Sequence, residues 1–310
     1  MTAVEIDGIL ISMEFPNNKQ FAFTIIDDTD NAEIENIRPV YEFLAKLGFK
    51  ITKTVWSLPP RDTYKGLSLK NYPYRQFIKM LQREGFEIAL HSVGSGRMTR
   101  QDTIDGLEIF KQFIGHYPKI QINHGENPDS IYWGIKRFHL LKLLWRYSHF
   151  QGENPNSAFF WGDYHKKNIK YTRNFTYHGL NTIKSDPFMP YTDKNKPLAK
   201  FWFSSSDGSD LEKFNRLVNQ RSIDRLIKEK GTTIVYTHFA SGFIRGGRLN
   251  REFQQNMVYL SRRNGYFVPA GALLDYLESK GRGKEISGLQ KTNLELKWVW
   301  DKIKGGFKRS

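Results

Sequence analysis

The stretch Phe21-Ala22-Phe23-Thr24-Ile25-Ile26-Asp27-Asp28-Thr29-Asp30 decides how the chain is read. Its apolar and β-branched residues have the makeup of a buried strand. The run then breaks off into three carboxylates within four residues, so like charges gather where a sheet meets solvent. Unit charges roughly 4 Å apart interact by about 4 kcal/mol at an effective dielectric near 20, and a divalent cation is the simplest way to offset that repulsion. The plainer alternative is a helix cap, Asp30 or Asn31 serving the periodic segment that starts near Ile34. A cap uses one acid, not three. The cluster therefore points to metal binding or catalysis.

Outward from this run, short apolar segments alternate with helical ones. Strands are expected at Phe21–Ile26, Lys50–Val55, Glu87–Leu90, Lys119–Asn123, Phe175–Thr182, Ala199–Ser204, Thr232–Thr237 and Gly265–Val268. Helices are expected at Ala32–Leu47, Tyr72–Glu84, Arg100–Ile114, Ile131–Tyr147, Asp210–Glu229 and Arg251–Arg263, with Gly48, Gly85 and Gly231 just past helix ends. This alternation predicts an α/β fold with a parallel sheet, closed into a distorted (β/α)7, TIM-like barrel over residues 1–279. Residues 280–310 depart in composition, with nine basic and three acidic residues and Trp298, Trp300, Ile303 and Phe307 interspersed. That tail reads either as a helix docked on the barrel or as a basic, aromatic surface for an anionic membrane.

In such barrels reactive groups collect at the C-terminal ends of the strands. His91 follows the third strand, Asn123-His124-Gly125-Glu126-Asn127 the fourth, Asp207 the sixth and His238 the seventh. Three of the eight histidines thus stand at the barrel mouth with the acidic cluster. One carboxylate and two imidazoles are a common way to hold Zn²⁺ or a related ion (Co²⁺, Mn²⁺, Ni²⁺) with a position left for water. Asp28, His91 and His124 are the expected ligands, Asp27 the base and His238 the acid of an amide or ester hydrolase.

These motifs resemble the polysaccharide deacetylases of the NodB-homology, carbohydrate-esterase-4 type. Ile25-Ile26-Asp27-Asp28 is similar to that family's Thr-Phe-Asp-Asp, in which the first Asp is the base and the second binds metal. His91-Ser92-Val93-Gly94-Ser95 resembles its His-Ser/Thr-x-x-His, with serine in place of the second ligand, and Tyr236-Thr237-His238 resembles its Leu-x-His. The tail of the barrel, Asn264–Pro269 leading into Leu273–Leu277, also resembles the family. The resemblance covers roughly residues 20–278 and implies a metal-dependent enzyme that removes an N-acetyl group from an amino sugar in a polysaccharide, lipid-linked glycan or precursor.

Two departures matter. Serine at 95 removes a ligand, which His124 is expected to replace, and an Arg-x-Pro motif is missing near Asn123–Asn127. A second register has Asp28 as base and Asp30 as ligand. A barrel that binds sugar without turning it over is the alternative function. Asn123, Asn127, Trp161 and Asp207 are the expected substrate contacts; the resemblance also implies that Asp207 and Asp210 orient His238, the alternative being a cap for the helix that starts near Leu211.

The net charge of +15 favours anionic partners, but the basic residues are scattered and no nucleic-acid motif occurs, so a carbohydrate is the expected partner. Zero cysteines exclude disulfides and thiolate metal sites. No window reaches the roughly 20 apolar residues of a membrane span. The start of the chain does not read as a secretory leader, which makes the cytoplasm, with a peripheral membrane contact, the expected location.

Overall fold

The computed structural model describes residues 14–144 and 148–305, and the backbone of a small hairpin at 4–6 and 9–11. Residues 145–147, at the end of one expected helix, and the last five residues of the tail, Phe307 among them, lie outside the described residues.

Seven parallel strands follow one another in chain order: β1 (Phe21–Asp27), β2 (Thr52–Val55), β3 (Glu87–His91), β4 (Ile120–Ile122), β5 (Tyr171–Tyr177), β6 (Phe201–Asp207) and β7 (Thr232–Thr237). Pairing of β1 with β7, from Ala22 beside Thr232 to Asp27 beside Thr237, closes the barrel. An eighth strand, β8 (Gly265–Phe267), joins the first half of β1, and β2 takes over at Ile26 and Asp27. Every residue of β1 is buried, as a parallel strand covered on both faces requires.

The two-residue period of the strand sorts β1 into two layers. Phe21, Phe23 and Ile25 pack in one cluster with Ile37, Val40, Tyr41 and Leu44 of α1 (Ile34–Lys46). Ala22 and Ile26 belong to a second cluster with Ala89, Ile122 and Ile234, which Leu273, Leu274 and Leu277 of the helix Ala270–Ser279 complete. Odd positions of β1 therefore face the helices, and even positions face the barrel interior.

Two expected helices are different in the structure. The segment expected as a helix over Ile131–Tyr147 is, among the described residues, a loop with short 3₁₀ turns at Gly134–Arg137 and Leu141–Leu144; Tyr132 and Gly134 have φ of 47° and 60°, which no α-helix accommodates. The stretch Asp210–Glu229 breaks into Leu211–Leu217 and Gln220–Lys228 because Asn219 caps the second piece through Ser222 N. The fifth strand starts at Tyr171 rather than Phe175, with a bulge between Arg173 and Thr176.

The tail forms a helix, Gly288–Gly305, docked on the barrel. Leu294 is buried, Trp298 packs on Phe138 and Phe175, Lys291 pairs with Asp193, and Glu295 accepts from the backbone N–H groups of residues 139–141. The docked-helix reading of the tail is the one the structure shows; part of its aromatic surface is spent on the barrel, while Leu289, Leu296, Trp300 and Ile303 stay exposed, and nothing supports a membrane surface for it. No helix among the described residues is long and apolar enough to cross a membrane.

Candidate active site

The three acids after β1 have three different fates, and strand parity separates the first two. Asp27, at an odd position, turns to the helix layer. Its Oδ2 accepts from Lys53 Nζ and Tyr41 Oη, both at 2.8 Å, and its Oδ1 accepts from Phe239 N at 2.8 Å. Lys53 is its cross-strand neighbour, and both side chains are fully buried. Burial works against the Lys53 charge, but Asp27 outweighs it and holds the ammonium above its ordinary value. Both oxygens of Asp27 thus have partners within the protein, which argues against its expected role of base.

Asp28, at an even position, points the other way. Its N–H continues the ladder to Thr237 O at 2.8 Å, and its Oδ2 accepts from Arg173 Nη2 at 2.7 Å. Arg173, on β5, lies face-on to Tyr236 at 4.3 Å. Oδ1 of Asp28 is buried without a hydrogen-bond partner. Asp28 does not join the two histidines expected to share an ion with it.

Asp30 does. After Thr29 the chain turns sharply: Ala32 N donates to Thr29 O, Asn31 N donates to Lys65 O, and Asn31 adopts φ 58°. This brings Asp30 over the barrel mouth. Its Oδ1 lies 3.1 Å from His91 Nε2 and 3.5 Å from His124 Nε2, and its Oδ2 lies 3.3 Å from His238 Nε2. Burial opposes charge on Asp30, yet the three imidazoles outweigh it and hold the carboxyl well below the usual range. Burial likewise opposes charge on His238, but Asp30 pushes it up to about 9. His238 Nδ1–H donates to Ser209 O at 2.7 Å, which fixes the ring with Nε2 toward Asp30.

Asp30, His91 and His124 fit a divalent cation. One oxygen and two ring nitrogens gather within 4.8 Å of one another. Two ligands of a tetrahedral ion, each about 2.0–2.1 Å from it, stand about 3.3 Å apart, which matches the contacts at 3.1 and 3.5 Å. Asp30 Oδ1 makes no hydrogen bond of good geometry, which leaves it able to accept a cation, while His124 Nε2 also lies 3.3 Å from Ser95 Oγ. The alternate register, Asp30 as ligand and Asp28 outside the set, is the one that the geometry favours.

The expected substrate contacts need correction. Asn123 is buried, with Nδ2 on Ile131 O and Oδ1 accepting from Ile131 N and Gln121 Nε2. Asn127, also buried, ties Gly94 O and Gly96 N. Trp161 is fully buried and donates its indole N–H to Asp129 O. These three brace loops and offer a ligand nothing. Asp207 neighbours Lys302 at 3.9 Å and His178 at 4.0 Å, Asp210 caps a helix through Lys213 N, and neither touches His238.

Sequence reasoning missed Lys53, Arg173 and the loop between β2 and α2 (Tyr72–Arg83). A lysine inside the apolar run Lys50–Val55 is a signal for the first, since a cation is buried there only beside a partner. From that loop, Tyr64 sets its ring edge-on to His124, centroids 4.8 Å apart.

No protein-family model matches the sequence, and no curated protein sequence matches it. Solved structures do match the fold. A protein from Pseudomonas aeruginosa PAO1 described as a candidate polysaccharide deacetylase aligns at TM-score 0.54 and 11% identity, over 86% of this chain and 94% of its own. A PuuE allantoinase aligns at TM-score 0.55 and 11% identity, over 86% of this chain and 93% of its own. A candidate polysaccharide deacetylase from Mycobacterium smegmatis aligns at 0.50 and 11% identity, over 89% and 96%. The chain thus has the barrel fold seen in polysaccharide deacetylases, and it shares that fold with an allantoinase.

Proposed function

We propose that the chain is a metal-dependent hydrolase that removes an N-acyl group, acetyl in the first instance, from an amino sugar in a glycan or its precursor. The observation that carries this reading is the convergence of Asp30, His91 and His124, with Asp28 and His238 placed around the same mouth. When bound, a divalent ion there supplies Lewis-acid polarisation of the acyl carbonyl and acidifies water. Asp28 acts as the base: Arg173 holds Oδ2, leaving Oδ1 to accept the proton of the attacking water. His238, oriented by Ser209, gives a proton to the departing amine from Nε2. The fold shared with polysaccharide deacetylases supports an acyl-transfer reaction and a sugar substrate.

The test is elemental analysis of tag-free protein beside His91→Ala and His124→Ala, followed by an assay for acetate released from acetamido-sugar oligomers. About one ion in the wild type, lost in both variants, together with acetate release is the expected result. No ion after reconstitution with Zn²⁺, Co²⁺, Mn²⁺ or Ni²⁺ overturns it and leaves a sugar-binding barrel as the better reading.

A further inference from the structure

Arg137 carries a charge that the fold leaves unmatched. It ends the short turn Gly134–Arg137, which lies against β5 where β4 has run out, since β4 last pairs with β5 at Gln121 and Thr172. Its guanidinium lies over the rings of Trp133 at 4.3 Å, Trp298 at 5.4 Å and Phe138 at 5.5 Å. Nε donates to Gly134 O at 3.2 Å and Nη1 reaches Asn174 O at 3.5 Å. Among the described residues, Nη2 meets no acceptor and no carboxylate pairs with the group.

The cations around it do have carboxylates. Arg173, next in the chain to Asn174, holds Asp28 through Nη2, although its Nε and Nη1 are buried without a partner. Lys302, one helical turn beyond Trp298 on the docked helix, lies 3.9 Å from Asp207 Oδ2 and 4.0 Å from Asp301 Oδ2. Asp207 ends β6, so this contact sets the tail helix at the rim of the mouth, on the side where Arg173 meets Asp28. Burial, and Arg173 after it, pull the Arg137 guanidinium down to about 10. Burial lowers Lys302 as well, and Arg137 adds to that while Asp207 and Asp301 oppose it. A guanidinium still keeps its proton near neutral pH, so the crowded positive rim is most simply offset by an anion.

We propose that this rim takes an anionic group, a carboxylate or a phosphate, carried by the sugar that bears the acyl group or by the sugar next to it. The planar fork of Arg137 suits either anion, Arg173 and Lys302 add positive charge, and Trp133 and Trp298 hold the fork flat. The substrate class is then an acidic amino-sugar glycan, a uronate or a sugar phosphate. The tail helix, which brings Trp298 and Lys302, becomes one wall of the cleft. The inference rests on the deacylase reading proposed above.

Acetate release from N-acetylglucosaminuronic acid, an N-acetylglucosamine phosphate and N-acetylglucosamine itself, with calorimetric binding of the same sugars, tests it. One of the two anionic sugars should exceed the neutral one in kcat/KM and in affinity by about tenfold or more, and the advantage should shrink with added salt. Which anion is favoured tells a uronate from a phosphate. Arg137→Gln should cut the anionic-to-neutral ratio by about tenfold, through KM rather than kcat, and Arg137→Lys should restore part of it. Lys302→Gln should cut it by a smaller factor; this side chain is partly exposed, so the variant keeps the test valid should a change at Arg137 loosen the loop. Equal handling of all the sugars by the wild type, or a ratio unmoved in both Arg137→Gln and Lys302→Gln, overturns this inference and leaves the deacylase reading standing. Preferred binding of an anionic sugar that falls in Arg137→Gln, with no acetate from any of them, supports the anion site and overturns the deacylase reading.

Discussion

Asp27 and Asp30 stand three residues apart and live under opposite conditions. Asp27 is enclosed by a lysine ammonium, a tyrosine hydroxyl and a backbone N–H, each at 2.8 Å, so both of its oxygens have partners. Asp30 faces three imidazoles at 3.1 to 3.5 Å that do not satisfy its Oδ1 directionally. A carboxylate whose partners are complete holds the fold together. One whose partners converge without closing is set up to take an ion. The first should therefore register mainly in stability and the second mainly in turnover, a split that mutation can sharpen or break.

Asp30→Asn tests the open end and carries the largest expected effect. Removing the shared ligand oxygen should abolish stoichiometric metal by elemental analysis and lower kcat/KM by on the order of 10³-fold or more, since Lewis-acid stabilisation amounts to several kcal/mol. The urea midpoint should stay close to wild type. A variant that keeps its ion would place the centre elsewhere.

Lys53→Met tests the closed end. It leaves Asp27 as an uncompensated charge in a fully buried position, which costs about 3–5 kcal/mol, read as a lower urea midpoint at unchanged slope. Metal content should not change. The double variant Lys53→Met/Asp27→Leu should recover most of the loss, because the penalty belongs to the orphaned charge rather than to the missing pair. Loss of the ion in Lys53→Met alone would break the division between the two carboxylates.

Between them stands Asp28, with one oxygen held by Arg173 and the other free. Asp28→Asn should lower kcat by about 10²–10⁴-fold, as expected when a general base is removed, with about one ion still bound and KM little altered. The same change at Asp27 should spare kcat and lower stability. If the two variants behave the other way round, the base is Asp27 after all.

That assignment marks how far the sequence is legible. The barrel can be read from strand–helix alternation, because burial on both faces of a parallel sheet leaves continuous apolar runs, and the run ending at Ile26 is one of them. The histidines can be read too, since each follows a strand and strand ends define the mouth. What cannot be read is which acid does what. Asp27 and Asp28 are chemically identical neighbours, and only the strand's parity, set by which β1 residues meet α1, sends one toward Tyr41 and the other toward Arg173. Arg173 itself stays hidden because the bulge beside it shifts the apparent start of its strand. Asn123, Asn127 and Trp161 look like sugar contacts in sequence because polar and aromatic loop residues are chemically suited to either task. Burial alone tells bracing from binding.

The same contrast extends to a fourth buried carboxylate, Asp186, which accepts from a hydroxyl and a backbone N–H. Its Oδ2 accepts from Ser204 Oγ at 2.6 Å and its Oδ1 from Phe188 N at 3.2 Å. Burial pushes this carboxyl up to about 6, against which the hydrogen bonds to Ser204 and Phe188 and the charge of Arg282 work only in part. Since the folded value exceeds the unfolded one of about 3.9, the native state holds this proton more tightly. The resulting stabilisation is present below about pH 4 and is lost as the pH rises through 6. A shift of roughly two units corresponds to about 3 kcal/mol. Asp186→Asn keeps a hydrogen-bonding side chain but cannot titrate, so urea-derived stability of wild type minus variant should fall by about that amount between pH 4 and pH 7. A difference that is flat across this range would mean that Asp186 is charged throughout, held as an anion in the folded protein as Asp27 is.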